Sequence, residues 1–79
     1  MLNFDLYSIN TEKDERRSSD DEMFLTFEEA MANRMRFANW WHPNGDIWIH
    51  KYPANSRFSY SEVWHIDKDG NIVSHYEFN

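Results

Sequence analysis

The sequence predicts a small α+β domain with the element order β-α-β-β-β, in which one helix packs on one face of an antiparallel sheet. Three observations predict it: an alternating apolar and polar run at the start, a stretch of helical periodicity in the middle, and three short runs rich in β-branched and aromatic residues. The 79 residues suffice for one domain, 1–79, and 18% of them are aromatic, which indicates a packed core.

The first strand is predicted over 2–9, where apolar and polar residues alternate. The stretch that follows, NTEKDERRSSDDE, contains no large apolar side chain. A segment of this composition has nothing to contribute to a core, so we expect a polar, mobile loop at 10–22.

The helix is predicted from a capping-box pattern. Thr26 and Glu29 stand three residues apart at the head of an apolar run, so that each side chain can satisfy one amide of the first helical turn. We expect the helix to begin near Phe27 and to end at about Trp40, before the turn-forming sequence HPNG.

Three further strands are predicted over 46–52, 60–67 and 71–78. The last two flank a three-residue loop, 68–70, with Gly70 in the left-handed position of a bulge. A tighter turn would place Glu62 opposite Glu77, and like charges directly opposite each other are unfavourable. The preferred register therefore pairs Ile66 with Ile72, Trp64 with Ser74, and Tyr60 with Phe78.

One helix covers only one face of a sheet, so the other face must meet solvent, a loop or another molecule. The helix-side face is predicted to carry Ile47, Ile49, Trp64, Ile66, Ile72, Tyr76 and Phe78. The opposite face is predicted to be exposed and to bind a partner through Trp48, His50, Tyr52, Val63, His65, Val73 and His75.

Aromatic rings without lysine are typical of the centre of a protein interface, which favours a protein partner or a homodimer at this second face. Two alternatives stay open. The acidic loop could fold over the face, or the inner and outer faces could be assigned the wrong way round.

The net charge is −6, and nine of the fourteen acidic residues lie between Asp5 and Glu29. This balance disfavours nucleic acid and favours a basic protein surface. A simple solvated loop is the favoured explanation of the acidic run. The alternative is that the run approaches a basic groove that normally receives nucleic acid. The acidic contact would then consist of Glu12, Asp14, Glu15, Asp20, Asp21 and Glu22.

No catalytic site is expected, because the chain has neither a nucleophile-elbow sequence nor a glycine-rich phosphate loop. His50, His65 and His75 share the predicted second face with Glu77, but paired metal ligands at a fixed local spacing are missing. We therefore predict no metal and no other cofactor. With no secretory leader and no apolar run near the length of a membrane span, we expect a cytoplasmic protein that does not enter membranes.

These observations predict a non-enzymatic protein-binding module, a small acidic regulator or inhibitor. Its size, charge and lack of a catalytic motif are similar to those of phage-encoded proteins that bind and block host enzymes, including anti-restriction and anti-CRISPR inhibitors. That similarity implies a nucleic-acid-processing target but assigns no residues. The alternative is a domain that binds single-stranded nucleic acid by stacking bases on the aromatic face.

Overall fold

The computed structural model describes residues 4–10, 13, 23–41, 46–54 and 59–78. In this part of the chain, five antiparallel strands form one sheet in the order β2-β1-β3-β4-β5 and are accompanied by one helix, which confirms the predicted α+β class. The short β2 was not predicted, because two residues carry no periodic pattern. The elements are β1 (Leu6–Asn10), β2 (Met23–Phe24), α1 (Phe27–Trp41), β3 (Ile47–Tyr52), β4 (Glu62–Ile66) and β5 (Ile72–Glu77).

Helix α1 begins where the capping pattern predicts. The amide of Glu29 donates a hydrogen bond to the hydroxyl oxygen of Thr26 at 3.0 Å, which satisfies one of the amides that a helix start leaves unpaired. Glu28 and Glu29 lie in the first turn, where negative charge interacts favourably with the helix dipole. The side chains of residue 35 and of residues 37–41 lie outside the described part of the chain.

The main core lies between α1 and the sheet. The helix packs over β1, β2 and β3, and the ring of Phe27 contacts that of Trp64 in β4, with 4.8 Å between their centroids. Tyr7, Met31 and Trp64 pack at the border of this core. Its buried residues are Ile9, Phe24, Ala30, Ile47, Ile49 and Ile66.

Three residues predicted for the helix-side core are instead exposed, and that part of the prediction is wrong. Ile72, Tyr76 and Phe78 lie on or just after β5, which is the last strand of the sheet. Since the helix lies over the opposite half of the sheet, it does not cover them.

The hairpin turn has the predicted form. Gly70 has a φ of 86°, the left-handed conformation that favours glycine, and its amide donates to the carbonyl of Asp67 at 3.0 Å. The Asp67 carboxylate accepts hydrogen bonds from the amides of Asn71 and Asp69, and these bonds hold the pKa of Asp67 below its ordinary value.

Beyond the turn the predicted register is wrong. Ile66 lies opposite Ile72 as expected, but His65 lies opposite Ser74, so Val73 is an extra residue on β5. Such a β-bulge moves every later side chain of the strand to the other face. The observed pairs are Trp64 with His75 and Glu62 with Glu77, and the Phe78 amide bonds to Ser61 rather than Tyr60.

The second face of the sheet is largely closed, so the expectation that it is exposed is wrong for most of its residues. His50 and Val63 have no exposed surface, and Tyr52 is 2% exposed. The ring of Tyr60 packs edge-on against His50, and the segment that follows β1 reaches the same face at Lys13. Lys13 lies within the predicted loop, so the alternative in which that loop contacts this face is correct at this position.

We expect Gly70→Ala to destabilise the fold by about 1–3 kcal/mol, because a side chain at positive φ is strained. The added Cβ would also lie 2.6 Å from the Arg34 guanidinium, which occupies this space. Urea denaturation measures the loss. Lys68→Ala, an exposed change in the same turn, serves as the control, and equal stabilities for the two variants would contradict this account.

Candidate functional site

The structure separates the seven residues predicted to bind a partner. Trp48 and His65 are half-buried and stack on each other, with centroids 4.2 Å apart and planes 9° from parallel, and the Nε2 atom of His65 lies 3.2 Å from Asp46. Of the other five, His50, Tyr52 and Val63 are buried, Val73 is exposed at the bulge, and His75 lies on the helix-side face.

His50 is buried as a member of a polar chain. The side-chain amide of Asn10 donates to the Ser8 hydroxyl at 3.0 Å and lies 2.7 Å from the Nδ1 atom of His50. The Nε2 atom of His50 contacts the carbonyl oxygen of Lys13. An imidazole that accepts at Nδ1 and donates at Nε2 is neutral, so this network selects one neutral tautomer.

The same polar network also shows how the described residues close the second face of the sheet. The Lys13 carbonyl is fixed by His50, and the Lys13 ammonium lies 3.9 Å from the centroid of the Tyr76 ring. Tyr76 in turn contacts Trp48, with 6.4 Å between ring centroids. One lysine thereby attaches the segment after β1 to both β3 and β5.

We expect His50→Leu to destabilise the protein by about 1–3 kcal/mol, because the Asn10 amide and the Lys13 carbonyl would lose their buried partner. Urea denaturation measures the loss. His65→Leu is the matched control, since it removes a half-buried histidine from the same face. Similar losses in the two variants would contradict the role assigned to His50.

The six residues of the predicted acidic contact lie outside the described residues, and their role stays a prediction. They are Glu12, Asp14, Glu15, Asp20, Asp21 and Glu22.

Strand β5 carries the largest apolar exposure that the structure describes. Val73 is 56% exposed and Ile72 is 53% exposed, and Tyr76 and Phe78 are also exposed. Within the described residues, no strand pairs with the outer side of β5. The sequence placed Val73 among the partner-binding residues, but it did not predict the rest of this surface because Ile72, Tyr76 and Phe78 were assigned to the core.

A charged cluster occupies the helix-side face between β3 and β5. The ammonium of Lys51 lies 3.1 Å from the Glu62 carboxylate and 3.5 Å from that of Asp5. The hydrogen bond that the Lys51 ammonium donates to the Glu62 carboxylate raises the pKa of Lys51, while burial raises the pKa of neighbouring Tyr7.

Glu62 also belongs to a group of possible metal ligands with His75 and Glu77. One ligand atom from each of the three residues lies within 4.8 Å of the others. Nε2 of His75 is 2.9 Å from the Glu62 carboxylate, and the His75 ring stacks on Trp64 at 4.7 Å and 5°. The three histidines considered from the sequence do not converge, because His75 lies on the face opposite His50 and His65.

The raised pKa values predict lower stability in alkali. In the folded state the pKa values of Tyr7 and Lys51 lie above their ordinary values of 10.0 and 10.5, respectively, so both groups stay protonated to higher pH. The stability linked to this shift is therefore complete below those values and is lost as the pH rises through the folded pKa values.

Urea denaturation at about pH 8 and about pH 11 measures this loss of stability. The free energy of unfolding should decline less for Tyr7→Phe than for the unchanged protein, because the variant lacks one of the two groups. An identical decline in both proteins would contradict the contribution of Tyr7. The half-buried ring contacts with Phe27 and Trp64 remain available to phenylalanine.

Comparisons with protein-family models, with curated proteins and with solved structures found no match for this chain. Within the described residues, the helix is neither long nor apolar enough to cross a lipid bilayer. The function therefore has to be argued from the surface itself.

Proposed function

We propose that this chain is a protein-binding module that receives an extended segment of its partner along the outer edge of β5. The observation that carries the proposal is the combination of a strand edge that no described strand pairs with and exposed apolar side chains on the same strand. Strand addition to a sheet edge is a common mode of peptide recognition, in which backbone hydrogen bonds supply affinity and side chains supply specificity.

The backbone of β5 has the groups that strand addition needs. The amide of Phe78 donates to the Ser61 carbonyl at 2.8 Å, so residue 78 faces β4. In an antiparallel ladder the peptide groups of successive residues point to alternate sides, so those of His75 and Glu77 point away from β4. A partner strand would pair with these groups.

The charge near this edge indicates the chemistry of the partner. Glu77 on the outer strand lies opposite Glu62 on β4, and the whole chain carries a net charge of −6. A segment with basic side chains would be attracted, whereas a second copy would bring another −6. We therefore favour a basic segment of another protein over a homodimer.

The finer proposal is a small regulator or inhibitor of the phage type, acting on a host enzyme that processes nucleic acid. The edge of β5 would supply the apolar contact and the acidic residues of 12–22 would approach the basic groove of the target. Acidic charge near an interface accelerates association with a basic partner more than it raises affinity.

Single-stranded nucleic acid, the alternative from the sequence, loses its supporting observation. Trp48 is already stacked on His65, and Tyr52 is buried with its ring 6.1 Å from that of Tyr60. These rings do not form an open platform for bases, so we do not propose this function.

The test is a titration with a synthetic peptide of about eight residues that alternates valine and lysine, followed by amide NMR spectra. We expect saturable shifts at β5 with a Kd of about 1 mM or tighter, and much weaker shifts with a matched peptide of valine and glutamate. Val73→Lys should weaken binding because it places a charge at the apolar edge. Leu25→Lys is the control, since Leu25 is 55% exposed near the opposite edge of the sheet and receives the same added charge.

Shifts that miss β5, or equal weakening by the two lysine variants, would overturn the strand-addition proposal. Light scattering on the free protein reports self-association, and a dimer that Val73→Lys dissociates would replace the foreign partner with a second copy. Reversing the charges of Asp20, Asp21 and Glu22 in the same titration separates the acidic contact from the edge contact.

A further inference from the structure

We propose that Glu62, His75 and Glu77 form a surface site for a divalent transition-metal ion, with Zn²⁺ as the best fit. The site goes beyond the proposed function, because it lies on the helix-side face of β4 and β5 and needs no partner protein. It is also distinct from the three-histidine arrangement that the sequence suggested, and it uses only one of those histidines.

The spacing of the three ligand atoms suits a small ion after a short movement. They lie within 4.8 Å of one another, whereas ligands about 2.0–2.2 Å from a tetrahedral zinc are about 3.4 Å apart. The Glu77 side chain is exposed, so rotation about its bonds can close this gap without moving the strands. Water would complete the coordination.

The histidine is already oriented for this role. Its ring lies flat against the indole of Trp64, and its Nε2 atom points at the Glu62 carboxylate. Glu62 is held in turn, because its second oxygen lies 3.1 Å from the Lys51 ammonium. A ligand whose orientation is fixed by neighbouring contacts loses less entropy when it binds metal.

The bulge in β5 brings two negative charges together at this point, which favours the binding of a cation. It places Glu62 directly opposite Glu77, and like charges in that position destabilise a sheet. Lys51 offsets part of this repulsion, but it also interacts with Asp5. A divalent ion held between the two glutamates would replace repulsion with attraction and join β4 to β5.

The donor atoms decide which ion fits. One imidazole nitrogen and two carboxylates suit Zn²⁺ and its neighbours in the transition series. Mg²⁺ and Ca²⁺ prefer sites made entirely of oxygen, and Mg²⁺ gives up its water reluctantly. Mg²⁺ is therefore the appropriate control ion.

The experiment is calorimetric titration of the untagged full chain with zinc chloride at neutral pH, together with NMR signals of the histidine rings. We expect saturable binding of one Zn²⁺ per chain, with the His75 ring shifted and Mg²⁺ without effect. His75→Gln and Glu77→Gln should each weaken binding at least about tenfold, since each removes a direct ligand.

His65→Gln is the matched control, because His65 also contacts a carboxylate, that of Asp46, but lies outside the cluster. His42→Gln is a second control, since it removes another histidine and leaves Glu62, His75 and Glu77 unchanged. Urea denaturation of each variant without metal confirms that the fold is retained.

Undetectable zinc binding overturns the proposal, and so does zinc binding that survives in both His75→Gln and Glu77→Gln. Loss in His65→Gln or His42→Gln alone would place the ion elsewhere and overturn it as well. Because the titration uses the free protein, its failure leaves the peptide-binding proposal standing, and failure of the peptide titration leaves the metal site standing.

Discussion

A five-stranded sheet has two faces, and this chain has one described helix to cover them. That imbalance determines how the rest of the molecule is built. The helix closes the face of Ile47, Ile49 and Ile66 by ordinary apolar packing. On the other face, the ring of Tyr60 and the backbone carbonyl of Lys13 both contact His50. Hydrogen bonds there do part of the work that apolar packing does under the helix.

The bulge at Val73 sets the surface that remains. By adding one residue to β5 it sends Tyr76 to the face of Val63 and Trp48, and brings His75 against Trp64 on the helix side. The apolar residues of β5 are thereby divided between two faces. Neither face has enough neighbouring side chains at the edge of the sheet to bury them. Bulges at sheet edges often redirect side chains in this way.

Much of the fold follows from local patterns in the sequence. The Thr26 cap, the glycine turn and the alternation in β3 each act over a few residues, so they predict α1, the β4–β5 turn and the burial of Ile47 and Ile49. The candidate surfaces are formed by contacts between residues far apart in the sequence, and such contacts leave no local pattern. Nothing local distinguishes a hairpin with a bulge from one without, and Lys13 contributes to the second face through a carbonyl that every residue possesses.

Because Gly70 has no side chain, the two ends of the β4–β5 hairpin are supported by different contacts. The Arg34 guanidinium fills the volume that a side chain would take, and its Nη1 atom donates to the Met31 carbonyl at 2.8 Å. The turn end of the hairpin thus lies against a helix side chain, while the other end is held by β4 and by the Tyr60 and Phe78 rings. We therefore expect fraying of β5 to begin more easily at the Phe78 end than at the turn, where Arg34 packs over Gly70.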